Sequence, residues 1–299
     1  MQDLITTALT DNGGFRIYAA VTTNLVREAS QIHGCSPLAS AALGRTLTAA
    51  AIMGAMQKED NASVTIQFKG DGPLGSVVAV GSSRAHVKGW IQNPGADLPL
   101  NSKGKLDVGG GIGKGFLSVV RDAGNGKMPY TGQVELVSGE VAEDLTYYYA
   151  VSEQTPTAMA LGVLVDTDCT PKCAGGWLVQ MMPGVSADDE KIITQIEKSI
   201  KELPPVTTMI DRGMTPEEIT SALLGDIKYG ILNREEPCYK CDCSRGRVER
   251  ALISVGAKDL RTMLAEDNGT EVDCHFCGKK YKFTADELER LSEIAERKK

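Results

Sequence analysis

The 299-residue sequence predicts an α+β fold in three parts: a large mixed domain over residues 1–180, a helical linker over 181–230 and a small C-terminal domain over 231–299. In the first part, strand-like and helix-like segments come in blocks rather than in strict alternation, which favours α+β over a doubly wound sheet. The linker has the one-sided apolar pattern of helices that pack on a surface. The last part has few large apolar side chains but five of the chain's 8 cysteines.

The first domain is predicted to begin with a strand and two helices. FRIYAAVTT (15–23) has strand character, and TNLVREASQIHG is a helix that ends at its glycine. Ser36 caps and Pro37 begins a long Ala-rich helix to about Gln57, whose small side chains predict close packing against a sheet. SVTIQFKG (63–70) alternates at the period of a half-buried strand. Further strands are predicted at SVVAVG, AHVKGWI, FLSVVRD and VELVSGEV, while TPTAMALGVLVD fits either a helix or a strand.

The linker is predicted to be helical. Residues 186–203 place their isoleucines on one face and their charges elsewhere. A later helix has Thr215 as its N-cap, Pro216 at its first position and Glu218 completing a capping box. We expect the large domain to cover the apolar face of these helices.

Composition and charge exclude several classes of function. The net charge of −7 argues against a protein whose main task is to bind nucleic acid or an acidic membrane. The N-terminal residues lack the basic and apolar regions of a secretory signal, and the apolar stretch LTAAAIMGAM is about half the length that crosses a bilayer. We therefore expect a cytoplasmic protein with no membrane partner, where clustered cysteines indicate metal or redox chemistry.

The C-terminal domain is predicted to consist of short elements around its cysteines. Helices are predicted at SRGRVERALISV, capped by Ser244, and at AKDLRTMLAED. NGTEVDC indicates a turn into a strand, and KKYKFTADELERLSEIAER indicates a strand followed by a final helix capped at Thr284. A domain with so small an apolar core usually needs disulfide bonds or a bound metal ion for stability.

The cysteine spacing predicts a tetrahedral zinc site with one ion per chain in the reduced state. Two ligand sets fit the spacing: Cys238 and Cys241 with Cys274 and Cys277, or Cys241 and Cys243 with Cys274 and Cys277. Spacing alone slightly favours the first set, because it has C-x-x-C at both ends. The residue types alone therefore leave Cys238 open as an alternative ligand.

Three other interpretations of the cluster agree less well with the sequence. Unligated thiols are the plainest one, and a thioredoxin-like catalyst lacks the helix that should follow its C-x-x-C, because CHFC lies between strand-like runs. A zinc ribbon that binds nucleic acid lacks the expected charge, since residues 231–299 contain 14 basic and 14 acidic side chains. His275 is predicted to be an exposed turn residue rather than a ligand.

The remaining motifs predict no second reactive site. DVGGGIGKGF departs from both glycine-rich phosphate-binding patterns, which favours a structural turn. Cys169 and Cys173 are predicted to be ordinary thiols rather than a redox pair. His33, Cys35 and His86 are assigned structural roles, and no catalytic residue is predicted.

Several segments together resemble the redox-regulated holdase chaperones of the heat shock protein thirty-three family. CDCSRGRVERAL and VDCHFCGKKYKF are similar to the family's zinc centre, and GRTLTAAAIMGAM, IQFKGDGPLG, DVGGGIGKGFLSVVRD and the helical linker are similar to the rest of it. The resemblance implies that Cys241 and Cys243 ligate zinc together with Cys274 and Cys277. It also implies the disulfides Cys241–Cys243 and Cys274–Cys277 in the oxidised protein.

This resemblance implies a function that is not enzymatic. We expect an ATP-independent holdase that oxidation switches on: the thiolates are oxidised, zinc leaves, the thinly packed domain and the linker unfold, and exposed apolar surface captures unfolding client proteins. A second copy of the chain is a further candidate partner in the oxidised state. The alternative hypotheses are a zinc ribbon that binds nucleic acid or protein, and a thiol oxidoreductase.

Overall fold

The computed structural model describes residues 1–184, 190–267 and 269–297, and the chain divides into two compact units, Met1–Lys240 and Cys241–Lys299. The segment predicted as a linker belongs to the first unit. The three-part division itself stays a prediction.

The first unit contains strands from both halves of its sequence. Its strands are β1 (Leu4–Thr10), β2 (Phe15–Val21), β3 (Ser63–Gly70), β4 (Ser76–Ser82), β5 (His86–Ile91), β6 (Gly115–Asp122), β7 (Tyr130–Glu135), β8 (Thr157–Val165), β9 (Pro171–Met181), β10 (Tyr229–Glu235) and β11 (Cys238–Tyr239). Its helices are α1 (Thr23–His33), α2 (Pro37–Ala55), α3 (Val108–Ile112), α4 (Val141–Val151), α5 (Glu190–Glu202), α6 (Val206–Asp211) and α7 (Pro216–Leu224).

These strands form two sheets in the described part of the chain. One sheet has the order β10-β1-β2-β9-β8, and the other has the order β11-β5-β4-β3-β6-β7. Neighbouring strands pair antiparallel, except that β11 pairs in parallel with β5. Strands β10 and β11 are edge strands of these two sheets, so the segment just before the clustered cysteines is still part of the first unit.

Helix α2 packs against strands of both sheets. Ser36 caps it by accepting a hydrogen bond from the backbone amide of Ala39 at 3.0 Å, with Pro37 at the first position, as predicted. By length and composition alone this 19-residue helix is long enough to span a membrane, so the length argument from LTAAAIMGAM was incomplete. However, 89% of its apolar window is buried inside the protein, and α2 is a core helix.

The linker helices α5, α6 and α7 cover the other face of the first sheet, as predicted. Buried side chains of the first sheet and of the linker helices form one apolar layer between them, which we call the outer cluster. Its residues are Ala8, Phe15, Ile17, Ala19, Val21, Cys173, Trp177, Val179, Ile196, Val206, Met209, Ile210, Ile219, Leu223 and Leu224. The capping box of α7 is present, with Thr215 and Glu218 bonded reciprocally. Residues 185–189, where the first linker helix was predicted to begin, lie outside the described residues.

Several other sequence assignments change. The ambiguous segment TPTAMALGVLVD is strand β8, because pairing with β9 along its length overrides the helical preference of Ala and Met. VELVSGEV is a strand only as far as Glu135, and α4 begins at Val141. The glycine-rich segment DVGGGIGKGF contains α3 and packs on the β3–β4 turn so tightly that a Cβ at Gly70 would lie 1.8 Å from the Ile112 carbonyl oxygen. The close packing supports a structural role, but Val108–Ile112 is a short helix rather than only the predicted turn.

The second unit is small. It contains α8 (Arg245–Val255), α9 (Ala257–Asp267), β12 (Gly269–Asp273), β13 (Lys280–Thr284) and α10 (Ala285–Arg297). Strands β12 and β13 form an antiparallel hairpin, and the predicted helices, including the cap at Ser244, are confirmed. Thr284 and Glu287 exchange hydrogen bonds at the start of α10, and Asn268 of the predicted turn lies outside the described residues. The core of this unit consists of Leu252, Leu260, Tyr281, Phe283, Leu288, Leu291 and Ala295.

Candidate metal centre

Four cysteines of the second unit place their sulfur atoms together. The Sγ atoms of Cys241, Cys243, Cys274 and Cys277 all lie within 4.8 Å of one another, and each side chain is partly buried. The Sγ atoms of Cys243 and Cys277 are 3.4 Å apart, and those of Cys241 and Cys274 are 3.7 Å apart. The C-x-C pair and the C-x-x-C pair therefore face each other across the centre.

The hairpin geometry positions the C-x-x-C pair. The amide of Cys274 donates to the carbonyl of Lys279 at 2.9 Å, and the amide of Gly278 donates to the carbonyl of Cys274 at 2.8 Å. Gly278 has a φ of 67°, in the left-handed region that glycine adopts without steric cost. The chain thus turns sharply between β12 and β13, and both thiols point to the same side.

Hydrogen bonds fix the orientation of several sulfur atoms. The backbone amides of Cys243 and Lys279 interact with the thiols of Cys241 and Cys277, each two residues further along the chain than the sulfur it serves. The hydroxyl of Tyr281, on β13, donates to Cys243 Sγ at 3.1 Å. Groups around the first ligand shell that donate to thiolates are typical of sulfur-based metal sites.

The pKa values of the cluster thiols are shifted in different directions. Burial raises the pKa of Cys241 and of Cys277. For Cys243 burial also acts to raise the pKa, but hydrogen bonds from the Tyr281 hydroxyl and from the neighbouring thiols outweigh it and lower the pKa to about 7. Four thiolates this close repel one another, so the cluster favours full ionisation only when a cation compensates their charge.

The cluster can hold a metal ion, and its dimensions suit zinc. Zn–S bonds of about 2.3 Å place the sulfurs of a regular tetrahedron about 3.8 Å apart. The Sγ–Sγ distances of 3.4 and 3.7 Å lie close to that value, and the whole set fits within 4.8 Å. An all-sulfur set of four donors is also the chemistry of structural zinc sites.

The other candidate residues of this region lie elsewhere. Cys238 is exposed on β11 in the first unit, where it pairs with His86 of β5, and the four-sulfur cluster found among the described residues does not include it. The geometry therefore brings together the C-x-C set rather than the set that spacing alone slightly favoured. His275 lies in the turn between the two C-x-x-C sulfurs and is also not part of the cluster.

Several basic side chains of the second unit are paired with carboxylates. Arg245 bonds Glu287 at 2.6 Å and stacks over the Phe283 ring at 4.4 Å. Arg247 pairs with Asp242. Further pairs within the unit are Arg261–Glu296 at 2.7 Å and Lys280–Glu271 at 2.6 Å. Each of these four cationic side chains therefore has a carboxylate beside it.

The remaining cysteines and histidines of the first unit have structural surroundings. Burial raises the pKa of Cys35 to about 12. Cys173 is buried in the outer cluster and donates to the Thr207 carbonyl at 3.4 Å, while Cys169 is exposed in the β8–β9 turn. His33 contacts the Gly89 carbonyl at 2.9 Å, and burial lowers its pKa.

Sequence reasoning missed Tyr281 as a partner of the site. It stands four residues after Cys277 in a strand whose alternate positions are buried, which is the available sequence signal that it faces the core. The backbone donors were also missed, because their direction depends on the turn geometry.

Fold and centre define a class: a two-unit α+β protein with a four-cysteine, zinc-type cluster in its smaller unit. Comparison with known proteins places the chain within that class. A family profile described as Hsp33 protein matches residues 3–284. A 33 kDa chaperonin of Acetivibrio thermocellus is 49% identical over 299 residues, covering 100% of both chains, and one of Clostridium botulinum is 50% identical over 289 residues, covering 96% of each.

A solved structure agrees with the same placement. The crystal structure of the 33 kDa chaperonin (heat shock protein 33 homologue) of Thermotoga maritima has a TM-score of 0.89 and 38% identity, covering 99% of this chain and 100% of that one. The chain belongs to the Hsp33 family. The family is one of chaperonins rather than enzymes, which confirms the resemblance inferred from the sequence and implies binding of client proteins.

Proposed function

We propose that this chain is a redox-regulated, ATP-independent holdase chaperone. In the reduced state Cys241, Cys243, Cys274 and Cys277 hold one Zn²⁺ and the protein is inactive. Oxidation converts these residues to the disulfides Cys241–Cys243 and Cys274–Cys277, and the protein then binds unfolding proteins. The observation that carries this proposal is the four-sulfur cluster inside a unit with a small apolar core.

The thiols supply the switch. A bound zinc ion stabilises the thiolate form at neutral pH, which is the form that oxidants attack. Each disulfide forms when two thiolates transfer two electrons to one peroxide molecule, whose O–O bond breaks to give two hydroxide ions. Sulfurs joined in disulfides no longer offer the charge of four thiolates to a cation, so the ligand set is lost.

Loss of the ligand set removes a large share of the second unit's stability. Structural zinc contributes about 10–16 kcal/mol in small domains. Among the described residues, seven buried side chains form the core of the second unit, which leaves little else to replace that contribution. We therefore expect residues 241–297 to unfold on oxidation.

The outer cluster is the candidate client surface. Helices α5, α6 and α7 cover apolar side chains of β2 and β9, among them Phe15, Ile17 and Trp177. If the linker helices detach when the second unit unfolds, this apolar sheet face and the apolar faces of the helices become accessible together. Contiguous exposed apolar surface binds unfolded chains without nucleotide hydrolysis.

The proposed setting follows from this chemistry. Reversible thiol oxidation requires a compartment that is normally reducing, so we propose a cytoplasmic location. Unfolding client proteins are the main partners, and a second copy of the chain is a candidate partner in the oxidised state. No nucleic acid or membrane partner is proposed.

A client aggregation assay tests this function. Light scattering by a thermally unfolding client is followed with reduced, zinc-loaded protein and with peroxide-treated protein, while released zinc is measured in parallel. We expect suppression of aggregation only after oxidation, with about one zinc released per chain, and reversal by dithiothreitol.

Variants make the assay specific. Cys241→Ser should lose the redox dependence, whereas Cys169→Ser, which removes an exposed thiol of the first unit, should retain it. Equal suppression by the reduced and oxidised proteins contradicts the switch. Salt-sensitive binding of RNA or DNA favours the zinc-ribbon hypothesis, and catalytic turnover of disulfides favours the oxidoreductase hypothesis.

A further inference from the structure

A polar cavity lies in the first unit, away from the cysteine cluster. It has a volume of about 390 Å³ and is lined by residues of β2, β6, β9 and α4 and by the segment that follows α2. Its chemically important lining residues are Arg16, Tyr18, Lys58, Arg121 and Gln180. None of them belongs to the outer cluster or to the metal centre.

The register of the strands explains why these polar groups converge. Arg16 and Tyr18 are two residues apart on β2, and Gln180 of β9 pairs directly with Arg16, so all three lie on one face of the first sheet. Tyr18 belongs to the core cluster around α2, which identifies this face as the inner one. On the second sheet, Arg121 continues the alternation of Leu117 and Val119, whose side chains are buried in that core.

The cavity has more hydrogen-bond donors than acceptors. The Nε atoms of Arg16 and Arg121 are buried and have no hydrogen-bond partner among the described residues. Tyr18 is only 2% exposed, and its hydroxyl interacts with the Arg16 side chain on the same face of β2. A buried donor without an acceptor costs stability, which indicates a missing partner at this position.

The cationic charge of the cavity is incompletely balanced. Glu153 is the partner of Arg121 at 3.0 Å, and its other oxygen accepts the Tyr148 hydroxyl at 2.5 Å. In the part of the chain that the structure describes, no ion pair is formed by Arg16 or by Lys58, and Glu59 is the other carboxylate on the cavity wall. An anion entering the cavity therefore meets a guanidinium and an ammonium that are not already neutralised.

We propose that this cavity is a binding site for a small oxyanion of the phosphate class. The donors come from both sheets and from the chain after α2, so they approach the centre from several directions. A tetrahedral anion directs oxygens towards all of these walls, whereas the two oxygens of a planar carboxylate reach fewer donors. Arginine is well suited to such an anion because its fork of N–H groups can donate two hydrogen bonds at once.

Binding there connects the two sheets of the first unit. The anion accepts hydrogen bonds from β2 and β9 on one sheet and from β6 on the other. Because the unfolded chain does not assemble this donor set, bound phosphate stabilises the native first unit in proportion to its saturation.

Titration with inorganic phosphate tests the site. Full-length, reduced, zinc-loaded protein is titrated at constant ionic strength, and binding is followed by phosphorus NMR and by the unfolding temperature. We expect saturable binding below about 10 mM. Arg16→Gln should weaken it at least about 10-fold and Tyr18→Phe about 3-fold, because one charged and one neutral hydrogen bond are lost.

The controls separate the site from general effects of charge and folding. Arg84→Gln removes an exposed guanidinium of the same unit that donates to the Asp60 carbonyl and to the Asn61 side chain, neither of which lines the cavity, and it should leave affinity within about 2-fold. Two variants serve as folding controls. Tyr18→Phe keeps the buried ring, and Lys58→Gln changes an exposed side chain, so both proteins should fold. Absence of saturable binding, equal affinity of Arg16→Gln and the unaltered protein, or acetate binding as tightly as phosphate overturns the proposal.

Discussion

The two units of this protein are stabilised in different ways. The first unit encloses α2 between two sheets and covers one sheet again with the linker helices, so its core has two apolar layers. The second unit has one small cluster beside four sulfur atoms. Under the proposed function, this difference lets one chain keep a stable scaffold while part of it responds to oxidant, because the responsive part would depend on metal ligands that oxidation removes.

Removal of the metal should have the largest effect, and it should affect the two units differently. Chelation under reducing conditions, or Cys274→Ser, should unfold residues 241–297 and leave the first unit's inner core folded, because zinc contributes about 10–16 kcal/mol to such a domain. Hydrogen exchange measured by mass spectrometry should show lost protection in α8, α9 and α10 and retained protection in α2. Cys169→Ser is the matched control. Retained protection of α10 without metal contradicts the comparison.

Equivalent leucine-to-alanine substitutions in the two cores test the comparison of the two units further. Leu47 of α2 and Leu260 of α9 are both 0% exposed. Leu47→Ala should destabilise the first unit by about 2–5 kcal/mol, measured by urea unfolding. Leu260→Ala should instead appear as zinc affinity weakened at least about 30-fold, since the proposed function couples folding of the second unit to metal binding. Unchanged zinc affinity contradicts that coupling.

The outer cluster provides a test of the linker. Leu223 of α7 is fully buried against the first sheet, and Leu223→Ala should weaken that contact by about 2–5 kcal/mol. We expect the reduced variant to suppress client aggregation in part without oxidant, because the linker helices detach more often. Leu47→Ala is the control, since it removes the same atoms from the inner core. If both variants behave alike, the outer cluster is not the client surface.

The capping box of α7 should give the smallest effect. Thr215→Ala removes the cap and should cost about 1 kcal/mol in urea unfolding, whereas Thr194→Ala, inside α5, should change little. Hydrogen bonds from the Thr215 amide and hydroxyl lower the pKa of Glu218. The contribution of Glu218 is therefore present above the ordinary carboxyl pKa and is lost as the pH falls through the lowered value. A difference between the unaltered protein and Glu218→Gln that persists at low pH contradicts this assignment.

Local chemistry explains which parts of the structure were predictable. The caps at Ser36, Thr215 and Ser244 depend on residues within one turn, and all three were predicted from sequence. Strands β9 and β10 were not, since Gly175 and Gly176 in β9 have low strand preference and β10 pairs with β1 from the other end of the unit. For the centre, spacing identified the cysteines but not the role of Cys238, which depends on the pairing of β11 with β5.

The central claim is that the metal centre holds the second unit folded and that oxidation of its cysteines releases both the unit and the chaperone activity. Hydrogen exchange of the peroxide-treated protein, measured beside client aggregation on the same sample, tests this claim most directly. The account predicts that protection is lost across residues 241–297 and in α5–α7, is retained in α2, and that aggregation is suppressed only in that state. Full protection of the second unit in an oxidised, active protein would contradict it.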